Sequence, residues 1–210
     1  MQRINMWVAW STGLMLGVMT TILPTAAIAE EEPCAKEENK PTATTPEKIR
    51  QRAQGIREYK QLLSDSDATT RLAALDTMLN SCDMAMRELA YEAGFASGDQ
   101  AMRSLALKHK VLSASVLVIE LIPPEKVTTQ QNLIACCLKF AITLTKRNFA
   151  TGEFSGSRGG HPINGSVSGL ELQVNWLNDY TARLRLEEGT IMNGTATMNG
   201  VSLPARMAVR

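Results

Sequence analysis

Residues 170–209 read LELQVNWLNDYTARLRLEEGTIMNGTATMNGVSLPARMAV. Leu170, Leu172, Val174 and Trp176 alternate with Glu171, Gln173 and Asn175, and Ala182, Leu184 and Leu186 alternate with Arg183 and Arg185. Thr190 to Met198 and then Val201, Leu203, Ala205, Met207 and Val209 continue the pattern. A period of two is that of a half-buried strand, because successive side chains point to opposite faces. Turn signals separate the runs at Asn178-Asp179, Glu188-Gly189 and Asn199-Gly200, and Asn-Gly is a strong two-residue hairpin sign. Hairpin-linked, half-polar strands make an antiparallel sheet with one wet face. The pattern extends back to about Leu138. Phe140, Ile142 and Leu144 have strand spacing, whereas Gln130 to Ala135 suits a helix, so residues 128–144 are open to either reading. Residues 138–210 are expected to hold five or six strands, enough for a small β-sandwich or rolled sheet. Pro204 has no N–H to donate and is expected at an edge or bulge.

Upstream the period changes to 16. Asp67, Asp83 and Asp99 recur at that spacing, as do Arg71, Arg87 and Arg103, and Ala74, Ala90 and Ala106. Leu75, Tyr91 and Leu107 keep the register. Each copy opens with a Ser/Asp/Asn cluster suited to cap a helix N-terminus, and its apolar residues follow helical spacing. Sixteen residues hold one helix and a tight turn, so a short array of antiparallel helices is expected over residues 47–122. Within each copy, Asp and Arg stand one helical turn apart. The Asp67-x-x-x-Arg71-x-x-Ala74-Leu75 pattern resembles the Asp…Arg…Ala-Leu pattern of HEAT or armadillo-type helical repeats. That resemblance covers residues 47–122 only and implies a packed helical array with extended docking surfaces. Pro123-Pro124 marks a boundary, and residues 123–137 form a connector.

The first 29 residues have the layout of a secretory signal peptide. Arg3 precedes an apolar run to Leu23, Pro24 breaks it, and Ala27-Ile28-Ala29 fits a cleavage site. Residues 30–46 are charged, polar and proline-rich, which predicts a disordered leader. No later segment is long and apolar enough to span a membrane. Removing residues 1–29 takes away Arg3 alone and leaves 21 basic against 21 acidic side chains. That balance gives no electrostatic footprint for nucleic acid. All four cysteines, Cys34, Cys82, Cys136 and Cys137, lie in the exported part, where disulfides form. Three pairings are open. A metal site lacks both a C-x-x-C spacing and a nearby histidine.

The loop from Gly156 to Ser166 carries Arg158 and His161 and is the best local candidate for binding an anion or a peptide. Its plainer reading is a strand connection whose glycines serve turn geometry. His109, between Lys108 and Lys110, reads as a solvated helical histidine. With two histidines and no nucleophile-elbow motif, the chain offers few ways to assemble nucleophile, base and orienting group. The sequence therefore points to an exported, non-catalytic protein-interaction module of a bacterial envelope, without cofactor or metal, whose partner is another envelope protein. Arg71, Arg87 and Arg103 are its candidate docking face. A periplasmic small-ligand or lipid-binding protein using the β domain is the alternative, and a hydrolase ranks third.

Overall fold

The computed structural model describes residues 45–122, 139–176 and 180–209. The signal-like segment, residues 30–44 of the leader, Cys34, Cys136, Cys137 and the Asn178-Asp179 turn lie outside the described residues. Four helices come first: α1 (Thr45–Leu63), α2 (Ala68–Leu79), α3 (Met84–Ala96) and α4 (Gln100–Ser113). Eight strands follow: β1 (Val116–Leu121), β2 (Lys139–Arg147), β3 (Glu153–Arg158), β4 (His161–Ser168), β5 (Glu171–Trp176), β6 (Tyr180–Leu186), β7 (Ile191–Met198) and β8 (Val201–Ala208).

The 16-residue spacing is the spacing of helix caps. Asp67, Asp83 and Asp99 are the N-caps of α2, α3 and α4, accepting hydrogen bonds from the N–H groups of Thr70, Ala85 and Ala101. These bonds satisfy donors that the first helical turn leaves without partners. Asp67 is held below the usual carboxylate range chiefly by the Thr70 N–H, and Asp99 chiefly by the Ala101 N–H and then by Arg71. The arginines do not pair with the aspartate one turn away. Arg52 of α1 reaches Asp83 at 2.9 Å, and Arg71 of α2 reaches Asp99 at 3.1 Å. Each of these caps is thus tied to the helix two places earlier. Helices α3 and α4 approach closely, since a Cβ on Gly94 would stand 2.6 Å from that of Ala106.

The sheet corrects the expected sandwich or rolled sheet. It is a closed barrel in which every strand pairs antiparallel with its sequence neighbour and β1 pairs with β8. The physical reason lies in residues 116–121. Val116-Leu-Val-Ile-Glu-Leu121 continues the apolar run that begins in α4, so it reads as more helix, but the chain leaves the helix after Ser113 and enters a strand. That strand supplies the missing partner for β8. Glu120 faces Arg206, Leu121 faces Ala205, and the Ile122 N–H donates to the Pro204 carbonyl at 2.8 Å. Pro204 therefore sits just past the last described β1–β8 pair, where β1 runs out. Outside the seam, Glu120 bridges Lys139 of β2 at 3.2 Å and Arg206 of β8 at 2.7 Å. Both cations, Arg206 first, hold its carboxyl below the usual range.

The two-residue hairpins use backbone of the left-handed region. Asn199 and Gly200 have φ of 50° and 77°, and Gly159 and Gly160 have 55° and 84°, as strand twist requires of such turns. Inside, the lumen is filled by Ile119, Ile142, Ile163, Leu172, Val174, Leu184 and Met192, each buried. Eight strands leave an interior about wide enough for side chains alone. The Phe154 ring covers Gly165, its cross-strand partner. Outward positions carry Lys139, Glu153, Arg183, Arg185, Asn193 and Arg206, all exposed. Val116, Val118 and Ile191 are also exposed on the strands. Among the described residues no helix is long and apolar enough to cross a membrane.

Helix α4 fastens the helical layer to the barrel. Arg103 donates to the Glu187 carbonyl, Ser104 to the Gly169 carbonyl at 3.0 Å, and Arg147 of β2 returns to the Ala114 carbonyl at 3.1 Å. One continuous core runs from α2, α3 and α4 into the lumen. Gly156 and Gly194 sit where neighbouring strands crowd together, and a Cβ on Gly194 would collide with the Arg183 carbonyl oxygen. Gly194→Ala is expected to cost about 3 kcal/mol, the upper range for overpacking. Gly98→Ala, which meets open space, is expected to be neutral. Urea denaturation midpoints of the two variants check this.

Candidate interaction site

Helix α3 borders two surface hollows among the described residues. Ala85, Leu89, Glu92 and Ala96 lie along its outer side, with Ala85, Glu92 and Ala96 exposed. Its other side is buried through Ala90, Tyr91, Gly94 and Phe95. A hollow of about 880 Å³ runs between α3 and the barrel end, where Lys110, Gly189, Thr190 and Val209 complete its wall. A second hollow of about 460 Å³ lies toward α1, lined by Lys60, Leu63, Ala93 and Met102. Leu89, Glu92 and Ala96 line both. A third, of about 530 Å³, lies between α4 and the barrel turns, with Asp76, Ser104, Lys108 and Thr151 among its walls.

Beneath the larger hollow is a buried polar contact. The Tyr91 hydroxyl lies 2.8 Å from His109 Nδ1, and Ser113 Oγ lies 3.3 Å from the same nitrogen. The His109 ring is tilted against Phe149 of the β2–β3 turn, with centroids 5.3 Å apart. His109 is therefore not solvated, contrary to the sequence reading, and is only 8% exposed. The signal that locates it is helical register. Met102, Ala106, His109 and Leu112 follow the spacing of the buried stripe, although lysines flank the histidine. Burial and then the Arg87 charge lower its pKa to about 4. Burial raises that of Tyr91. Ser113 and Tyr91 share one ring nitrogen, and among the described residues no carboxylate hydrogen-bonds to the ring. The arrangement joins α3, α4 and the β2–β3 turn.

The residues singled out in the sequence lie apart from one another. Arg71 and Arg103 are half-buried and bonded to Asp99 and the Glu187 carbonyl. Arg87 lies near Tyr91 and His109 and enters their electrostatics. Arg158 ends β3 at the far end of the barrel. Its guanidinium lies over Phe140 at 4.9 Å and over Trp176 at 5.6 Å. His161 is its cross-strand partner and is exposed. The glycines between them form the hairpin turn. Trp176 Nε1 is buried without a hydrogen-bond partner among the described residues. Cys82 is disulfide-bonded. No cluster of metal-ligating side chains occurs among the described residues.

Comparison with protein-family models, with curated proteins and with solved structures finds no match for this chain. Nothing in the four helices shows HEAT or armadillo repeats.

The buried histidine makes stability depend on pH. The folded protein keeps the ring neutral down to about pH 4, whereas an unfolded chain protonates it near 6.5. Between those values the unfolded state binds the proton first, so stability falls as pH drops from 6.5 toward 4 and is unaffected above that window. The loss reaches roughly 3 kcal/mol at 1.36 kcal/mol per pKa unit. Arg87, Lys108 and Lys110 add to the penalty of charging the ring, and Asp76 opposes it. Denaturation midpoints near pH 7 and pH 4.5 are expected to diverge more in the native protein than in His109→Gln.

Proposed function

We propose that the protein is an exported, non-catalytic interaction module of a bacterial envelope, acting as an adaptor, assembly factor or subunit, and that it docks its partner along α3. One observation carries the reading. The open, largely apolar hollow beside α3 is backed by a rigid helix–barrel junction, while the barrel lumen is taken up by the protein's own side chains. Open concave surface on a supported helix suits protein docking. Export is supported by the signal-like residues 1–29 and by the disulfide at Cys82, a bond that oxidising compartments maintain.

The test is affinity purification of the full chain from its native envelope under mild crosslinking. The expected result is one stoichiometric partner, retained by the native protein and by Arg158→Ala but lost in Ala96→Arg. Absence of any retained protein over a range of crosslinkers would defeat the docking reading.

A small-ligand carrier is the second reading, favoured by the buried Trp176 N–H, which has no hydrogen-bond partner among the described residues, beside Arg158 at the barrel end. Native mass spectrometry decides it. A mass above that of the polypeptide, lost in Trp176→Phe, is the expected sign, and the bare mass alone counts against it.

A further inference from the structure

We propose that the outer side of α3 receives an amphipathic helix of the partner, with a Lys or Arg of that helix set against Glu92. This rests on the docking reading above and names the kind of partner. Ala85, Leu89, Glu92 and Ala96 are spaced by four, three and four residues, the spacing of a seam between packed helices. The hollows on either side of that seam are the grooves into which a second helix sets its ridges. Alanines at both ends let two helix axes come within the usual ~8–10 Å.

Charge selects the partner's chemistry. Glu92 is exposed in the middle of the seam and has no ion-pair or hydrogen-bond partner among the described residues. Its neighbour Glu88 is held by Lys110 at 3.4 Å. Glu187 and Glu188 are exposed in the β6–β7 turn, immediately before Gly189 on the wall of the larger hollow. The walls also hold Lys110, engaged with Glu88 and the Tyr91 ring, and Lys60 toward α1, so the acidic character is confined to Glu92 and the Glu187-Glu188 turn. An apolar seam with that acidic centre fits a helix that is apolar on one side and basic beside it. An extended strand finds less here, because the nearest barrel backbone is already engaged through the Val209 N–H and the Thr190 carbonyl. Complementary charge of this kind fixes register and excludes wrong partners.

The experiment places a photo-crosslinking amino acid at Met84, the exposed first residue of α3 beside the seam, of the full chain in its native envelope. The crosslinked peptide is then mapped, and the measurement is repeated with Glu92→Lys. The expected result is attachment to a segment with heptad-spaced apolar residues and adjacent Lys or Arg. Glu92→Lys is expected to reduce the yield at least tenfold, about 1.4 kcal/mol, with an unchanged melting temperature. Lys→Glu at the mapped partner position is expected to restore it. Attachment to an acidic or extended segment, or a yield indifferent to Glu92→Lys, overturns the proposal but leaves the docking reading standing. Capture from a crosslinker at Arg158 and none at Met84 overturns it too. Capture from no position at all overturns both.

Discussion

The structure depends on the pairing of its first strand with its last. An antiparallel meander of eight strands has two raw edges, each a row of N–H and C=O groups that must find partners. Joining β1 to β8 removes both edges together and turns a sheet with one wet face into a cylinder with a dry inside. The direct pairing is short: Glu120 with Arg206, Leu121 with Ala205, and the Ile122 N–H with Pro204. Glu120 holds a cation on each side of the join, so the strap lies outside the seam while apolar side chains fill the lumen within. An eight-stranded circumference also decides what the inside can hold. At this size isoleucine, leucine, valine and methionine suffice to fill it.

How much of this could be read beforehand follows the range of the interactions. The strands after Leu170 were legible because alternation and the Asn-Gly turn are local. The caps Asp67, Asp83 and Asp99 were legible for the same reason, although their arginine partners were not. Arg71 ignores the aspartate one turn away and reaches one 28 positions along the chain. The first strand was hidden because its six residues are mostly apolar and follow an apolar helix end, a case in which periodicity does not separate strand from buried helix. Without that strand the pattern does not imply closure, and it suits a sandwich or rolled sheet. Only one face of α3 could be foreseen. The hollows beside it arise where the barrel end and α1 stop short of covering it, which is tertiary information.

The helical layer and the barrel are chemically different but mechanically one piece. Helix α4 touches the barrel through two side-chain bonds to turn carbonyls and through the histidine wedged against Phe149. Helix α3 leans on α4 at Gly94, where no larger residue fits without moving its neighbour. A surface on α3 is therefore referred, through two rigid contacts, to the barrel frame. A partner docking there, as proposed above, would meet a preformed surface, which reduces the ordering cost of association.

The seam also bears on the order in which the protein can assemble. Glu120 and Arg206 are separated by 86 positions, whereas the helices are joined by contacts between near neighbours along the chain. Closing so large a loop is slow compared with forming a helical turn, and chains dominated by distant pairings fold slowly. The four helices can form from contacts close in sequence, while β1 stays unpaired along one side until β8 is in place. The interval before the cylinder shuts is thus the period of greatest exposure to aggregation, and its length is set by the time needed to produce and deliver β8.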